Sequence, residues 1–416
     1  MESLIGVEVR GIAAGGSGVA DLPDGRVVFV PRTAPGDRVS IRLVKDRARW
    51  AEGSLAHVDE PSEERRPALC ALYDRCGGCQ LQHLPYDRQL EWKGRIVADA
   101  LTRIGHLEGL EPPEVVPSPR ETGYRNRISF TLRRLRGGHV VAGFHALGRP
   151  AHVIDVHDEC VLPSTALREV WKAVRSEWGP GARLLPDGGR LRLTLRETSE
   201  GVALVVDGGH DGWSASKLGS AVPALSAIWH SPGGGPSEPR LLEGVFDEGG
   251  PAFAQVNTEV ADLMRRYVAE AAGEGAHAVD AYCGAGAYGR LLADQGWKVT
   301  GIERDPTACE EAGRGAPEGF SIVQGAVESR LSSVLPADLV IVNPPRAGLD
   351  ADVVGILATS GPGRIVYVSC DPATLARDVA ALSEQYAVAG MRCFDLFPQT
   401  AHVETVLVLT HSRGDA

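Results

Sequence analysis

The sequence lacks the marks of export and of membrane insertion. Its start, MESLIGVEVRG, has no basic region followed by an apolar stretch, so no signal peptide is expected. The longest uncharged window, Leu218 to Ser237, is interrupted by Pro, Gly, Ser and His, which reads as loop and not as a membrane span. No internal repeat is found. Basic residues are not in excess: 43 Lys and Arg face 54 Asp and Glu, a formal charge of -11, which argues against a protein that coats nucleic acid. A local basic patch remains open. Eight Cys in 416 residues, three of them between positions 70 and 79, indicate a reduced cytoplasmic chain with a metal site.

What is present is an ordinary globular composition, 43% apolar and 23% charged. At roughly 150 residues per domain the length predicts two or three domains, each with its own core. Fifty Gly and 27 Pro imply many turns and short elements, against long helical bundles. Residues 1–60 read as short strands at Ile5–Arg10, Val27–Val30, Val39–Leu43 and Trp50–Val58, divided by Gly, Pro and Asp turns. That spacing predicts a small β-barrel. Residues 59–67 are charged and unpatterned, as a linker would be. Residues 61–245 hold the Cys cluster, a helical stretch at Tyr86–Leu101, and strand-like runs at Arg127–Leu135, Val140–His145 and Leu191–Arg196. From about 246 onward the pattern changes. Val260, Leu263, Met264, Tyr267, Val268 and Ala271 lie on one face of a helix with Asn257 as N-cap. Apolar runs at Ala278–Tyr282, Val299–Glu303, Leu339–Asn343 and Ile365–Ser369 then alternate with helical ones, the signature of an α/β fold with a mostly parallel sheet.

The segment Val279-Asp280-Ala281-Tyr282-Cys283-Gly284-Ala285-Gly286 is a strand entering a Gly-rich turn and then a helix, where backbone amides can meet a ligand. Its glycine spacing is not that of a dinucleotide fingerprint, so hydride chemistry is disfavoured. Glu303 ends the next strand, 23 residues after Asp280, where an acid can accept hydrogen bonds from a ribose diol. Asn343-Pro344-Pro345-Arg346 follows the strand after that. Amino-group methyltransferases place an aromatic after Asn-Pro-Pro to stack on the base. Arg346 stands there instead, against methylation of an exocyclic amine. Cys370 ends the strand Ile365–Ser369 at the same sheet edge, placed for nucleophilic attack, although cysteine is also a common buried filler. Glu404 opens the apolar run Val406–Leu409, a position a solvated strand edge would equally allow.

These motifs resemble the S-adenosylmethionine-dependent RNA 5-methyluridine (uracil-C5) methyltransferases over essentially the whole chain. The resemblance rests on Phe253-Ala254-Gln255-Val256-Asn257, the Asp280–Gly286 turn, Asn343-Pro344-Pro345-Arg346, the run Cys370-Asp371-Pro372-Ala373-Thr374-Leu375-Ala376-Arg377-Asp378, and His402-Val403-Glu404. It implies a Rossmann-like class I methyltransferase domain at 246–416, a TRAM, OB-like RNA-binding barrel at 1–60, and an α+β central domain at 61–245. It further implies Gln255, Tyr282, Glu303 and Asn343 as contacts of S-adenosyl-L-methionine, Cys370 as nucleophile and Glu404 as base. Several members carry Asp at the position of Asn343 and Asn at that of Asp371. Carbon 5 of uracil is a poor nucleophile. Thiolate addition at carbon 6 would make it electron-rich, and a base must later remove its proton so the thiolate can leave. The target uridine must be unpaired or flipped.

Cys70, Cys76, Cys79 and the distant Cys160 supply four thiols. Spacing alone leaves zinc and a 4Fe–4S cluster equally open. The family resemblance matches the four to ligands of a 4Fe–4S cluster. For RNA, residues 115–150 carry seven Arg against one acid, Glu121, with Arg125, Arg127, Arg133 and Arg134 foremost. The expected partner is transfer or ribosomal RNA and the chain is expected to act as a monomer. The rivals are a cytosine-5 methyltransferase and a non-catalytic iron–sulfur RNA-binding factor.

Overall fold

The computed structural model describes residues 4–233, 239–244 and 255–412. The end of the uncharged window, and Phe253 and Ala254 of the 253–257 motif, lie outside the described residues. The chain packs into two compact units. The first comprises Met1–Tyr86, Arg120–Asn257 and Pro398–Ala401; the second comprises Asp87–Pro119, Thr258–Phe397 and His402–Ala416.

The first unit opens with β1 (Ile5–Ile12), β2 (Gly18–Asp21), β3 (Val27–Val30), β4 (Arg38–Asp46) and β5 (Trp50–Glu60). They close into a barrel in the order β1-β2-β3-β5-β4. Alternate residues point inward, so Val7, Val9, Val28, Val30, Val39 and Ile41 form its core. The stretch expected to be a linker is fastened down. Arg65 forks onto Asp37, which is fully buried, and the Ser62 amide donates to the same carboxylate at 2.9 Å. The chain then contributes α1 (Tyr86–Arg103) and β6 (Val115–Val116), nearly all of which belong to the second unit.

Back in the first unit lie β7 (Arg127–Arg134), β8 (Val140–Ala146), β9 (Arg149–Asp155), α2 (Thr165–Glu177), β10 (Arg190–Thr198), β11 (Gly201–Asp207), α3 (Ala215–Ala221), β12 (Leu225–Ser231) and β13 (Arg240–Gly244). The strands form one sheet, β13-β12-β11-β10-β7-β8-β9, mostly antiparallel. One face packs Ile128, Phe130, Leu132, Leu191, Leu193 and Leu195 against α2 and Trp171. On the other face, Ala203, Val205, Ala227 and Trp229 form a smaller apolar cluster at the β11–β12 end, and β7 and β10 present polar residues.

The second unit continues with α4 (Thr258–Ala272), β14 (His277–Ala281), α5 (Ala287–Asp294), β15 (Lys298–Glu303), α6 (Pro306–Gly313), β16 (Phe320–Gln324), α7 (Val327–Val334) and β17 (Leu339–Val342). It ends with α8 (Ala351–Ser360), β18 (Arg364–Ser369), α9 (Pro372–Leu382), β19 (Tyr386–Phe394) and β20 (Glu404–His411). The sheet order is β16-β15-β14-β17-β18-β20-β19-β6, parallel as far as β18, with β20 antiparallel to it. β17 is buried on both faces, Leu339 through Val342 all being 0% exposed. Each such aliphatic side chain contributes about 1.5–3 kcal/mol by leaving water. On α4, Val260, Met264 and Val268 are buried, the helical face its periodicity predicts. No described helix is long and apolar enough to cross a membrane.

Candidate active site and cysteine loop

Strand order reverses about β14, between β15 and β17, and it is at the carboxyl edge of such a switch point that α/β folds bind ligands. At that edge β14 enters the Gly-rich turn. Asp280 is fully buried; its Oδ2 accepts the Gly289 amide at 2.8 Å, while Oδ1 has no partner. Burial, with a smaller contribution from Glu303, pushes this carboxyl up to about 7. Tyr282 holds a left-handed φ of 61°, uncommon for a non-glycine residue and a mark of ligand sites. Burial pushes its hydroxyl up to about 12.

The glycines here do two different jobs. A Cβ at Gly286 or Gly289 would strike the Phe320 ring, at 2.9 and 2.5 Å, so packing forbids one. A Cβ at Gly284 would meet nothing within 4 Å, and its φ is +55°. Gly284 therefore borders open space, and its left-handed backbone, not crowding, calls for glycine there. Its amide donates to Glu303 Oε2 at 3.0 Å, and Glu303 Oε1 accepts the Arg304 and Asp305 amides at 2.7 and 2.8 Å. The carboxylate that ends β15 is thus fixed in place by three backbone donors, which leaves about one of its four lone-pair sites for a ligand hydroxyl.

Asn343 leaves β17 beside that turn, its amide donating to the Ala281 carbonyl at 3.3 Å. The loop after it is tied to α9. Leu349 donates its amide to Asp378 Oδ2 at 2.7 Å, and Arg377 Nη2 donates to the Ala347 carbonyl at 2.9 Å. The Tyr367 hydroxyl donates to the same Asp378 oxygen at 2.7 Å. Asp378 is 2% exposed, so two sequence motifs share one buried carboxylate.

Cys370 lies between β18 and α9 and is half-buried. Asp371 caps α9, its Oδ1 accepting the Ala373 and Thr374 amides at 2.9 and 3.1 Å. Asn caps a helix equally well, which accounts physically for either residue serving there. Ser369 pairs with Thr405 across β18 and β20, which sets Cys370 alongside Glu404. Glu404 is 6% exposed. Burial pushes its carboxyl up to about 8, against the pull of Arg346. Burial also raises the Cys370 thiol, reinforced by Glu404 and opposed by Arg346. Arg346, exposed on the Asn-Pro-Pro loop, faces both groups. The sequence marked it only as a missing aromatic. Gln255 belongs to the other compact unit, where its carbonyl accepts the Asn126 side-chain amide at 3.0 Å.

In the first unit, Cys70, Cys79 and Cys160 pack with Tyr73, Tyr124 and Leu162, while Cys76 packs in the adjoining core against which Cys70 and Cys160 also lie. All four are free, and the Gly78 amide donates to Cys76 Sγ at 3.4 Å. Among the described residues no three His, Cys, Asp or Glu side chains converge where a single ion would sit. A gathered set of half-buried to buried thiols, one already accepting an amide, fits a sulfur-ligated group.

The Arg-rich segment divides by role. Arg134 commits its guanidinium to the carbonyls of Gly181, Ala182, Leu185 and Gly188, and Arg125 faces Cys79 and Cys160. Arg127 and Arg133 point to the polar face of the sheet, in register with Arg196 and Arg190 of β10. Like charges directly opposite one another destabilise a sheet. Arg192, opposite Asp207, adds to the same face. The alternation Arg190-Leu191-Arg192-Leu193-Thr194-Leu195-Arg196 carried this signal in the sequence.

Comparison with known proteins agrees with this arrangement. The family model for tRNA (uracil-5-)-methyltransferases matches residues 329–412, and that for the TRAM domain matches residues 3–56. An RNA methyltransferase of Nitratidesulfovibrio vulgaris is 34% identical, covering 98% of this chain and 96% of its own length. An RNA methyltransferase of Gloeobacter violaceus is also 34% identical over the same shares. The crystal structure of the Pyrococcus abyssi tRNA (uracil-54, C5)-methyltransferase, in complex with S-adenosyl-L-homocysteine, superposes with a TM-score of 0.75 at 28% identity. It covers 98% of this chain and 99% of its own.

Proposed function

Because the chain belongs to the family of S-adenosylmethionine-dependent RNA (uracil-5-)-methyltransferases, we propose that it methylates carbon 5 of a uridine in RNA through a covalent Cys370 adduct. The observation that supports this best is the meeting of Cys370 and Glu404 at one sheet edge, with Arg346 facing both. S-adenosylmethionine, when bound, supplies an electrophilic methyl group. Gly284 would leave it room, Glu303 would meet its ribose, and Tyr282 and Asn343 would add contacts; Gln255 enters the donor set by the family resemblance alone.

The chain's own residues then act in order. Cys370 Sγ adds to carbon 6, breaking the 5,6 double bond and placing negative charge on the carbon 5–oxygen 4 enolate. The cation of Arg346 offsets negative charge at the thiolate and the ring. Once carbon 5 has taken its methyl group, the Glu404 carboxylate removes the remaining carbon 5 proton. The double bond re-forms as the carbon 6–sulfur bond breaks, and the thiolate leaves.

The division of labour is 1–60 for RNA, 61–245 for a cluster and RNA, and 246–416 for catalysis. The barrel carries the TRAM match, and the arginine face of the central sheet suits a phosphate backbone, whose charge relieves the Arg–Arg repulsion. Cys70, Cys76, Cys79 and Cys160 would hold a 4Fe–4S cluster that pins this loop. Transfer or ribosomal RNA is the substrate class and the cytoplasm its place. The test is to incubate the purified chain with labelled methyl donor and each RNA, then digest to nucleosides for mass spectrometry. Label in 5-methyluridine supports the proposal. Label in 5-methylcytidine, or in neither, overturns it.

A further inference from the structure

A buried guanidinium with no acid beside it needs another source of negative charge. Arg32, just past β3, is 8% exposed and holds a left-handed φ of 70°. That conformation costs a non-glycine residue about 1–2 kcal/mol and persists where the surroundings demand it. What demands it here is the cysteine loop. Arg32 Nη1 donates to the Cys79 carbonyl at 2.6 Å, and Nη2 donates to those of Cys76 and Tyr73 at 2.6 and 2.7 Å. The guanidinium lies 3.7 Å over the centre of the Tyr73 ring. Its Nε is buried without a partner, and among the described residues no carboxylate pairs with it. A cation so buried is costly unless compensated.

Four cysteine thiolates carry more negative charge than the metal core between them returns. A loaded site is therefore anionic, and the apo site, with neutral thiols, is not. We propose that Arg32 is the charge-balancing positioning group of the cysteine site, orienting the loop and offsetting the charge of the thiolate-bound cluster. This rests on the cluster reading above. A nearby positive charge favours the reduced, more negative cluster, so Arg32 raises the reduction potential. A residue that merely stapled the loop would not.

The experiment uses the full chain, reconstituted anaerobically with iron and sulfide. Iron content, the visible spectrum and the reduction potential by dithionite titration are read for wild type, Arg32→Met and Arg32→Lys. The expected result is that Arg32→Met loses iron to a chelator several-fold faster and titrates at a more negative potential. Arg32→Lys, which keeps the charge but not the fork, should keep a potential nearer wild type. A loaded Arg32→Met with wild-type potential and retention overturns the proposal. Should Arg32→Met not fold, Arg32→Gln serves in its place, and an unmoved potential there overturns it equally. Failure of the wild type to take up iron overturns the cluster reading, and this proposal with it.

Discussion

Asp378 of α9 and Leu349 of the Asn-Pro-Pro loop are joined by a 2.7 Å hydrogen bond from the Leu349 amide to the buried carboxylate. Because α9 begins just after Cys370, the loop carrying Asn343 and Arg346 is held to the helix that follows Cys370. Tyr367 completes the anchor from below.

Asp378→Ala leaves the Leu349 amide and the Tyr367 hydroxyl without their acceptor. We expect a loss of about 1–3 kcal/mol in unfolding free energy and a fall in turnover, read by chemical denaturation and steady-state kinetics. Wild-type kinetics in this variant would show that the loop needs no such anchor.

Cys370→Ala should abolish methyl transfer while leaving methyl-donor affinity near wild type, since no donor contact is assigned to the thiol. Calorimetry and a filter assay check the two halves separately. Residual turnover within tenfold of wild type would remove Cys370 from the reaction.

Glu404→Gln should accumulate a covalent RNA adduct visible on a denaturing gel. The same substitution has a pH signature. Glu404 ionises near 4.5 when unfolded but near 8 in the folded chain. Folding therefore takes up a proton between those values, and this residue's contribution to stability falls as pH rises through them. The thermal midpoint of Glu404→Gln should exceed wild type by a margin that widens from about pH 5 to about pH 8 and then levels off.

How much of this was legible beforehand follows from what each residue answers to. Cys370 and Glu404 stood out because strand ends are local events, marked by apolar runs. Residues whose role comes from a distant neighbour did not. Asp378 ties together loops that meet only in the fold, and Arg346 acquires its meaning from facing Cys370 and Glu404. Arg134 read as an RNA contact because nothing local reveals that four carbonyls consume its donors. β2 and β16 escaped notice for another reason: each is short and carries no long apolar run.

Lys93 and Asp395, both with fully buried side chains, form a 2.6 Å ion pair between α1 and the end of β19. Lys93→Met strands the carboxylate, and we expect a loss of about 3–5 kcal/mol by denaturation. Replacing both residues with apolar ones of similar size should recover most of it. A single substitution as stable as wild type would contradict the pairing.

On the arginine face, Arg190→Gln and Arg192→Gln should each lower the slope of log affinity against log salt by about 1 for RNA, as loss of one phosphate contact does. Both should leave donor binding intact. Arg190→Gln, which relieves the repulsion with Arg133, should not reduce thermal stability. Salt-titrated binding of RNA checks the first expectation and calorimetry the second.

Phe320 reaches under the Gly-rich turn so closely that a Cβ at Gly289 or Gly286 would meet its ring at 2.5 or 2.9 Å, and one at Gly301 would meet the ring at 3.0 Å as well as the Cys283 Sγ at 2.9 Å. Part of what reads as a cofactor fingerprint is therefore a socket for one aromatic residue on β16, two strands away. Shrinking that ring to leucine should ease the closest clash of an alanine at Gly289, leaving the Asp280 carboxylate at 3.0 Å, whereas Gly284, which borders open space, gains nothing from the exchange.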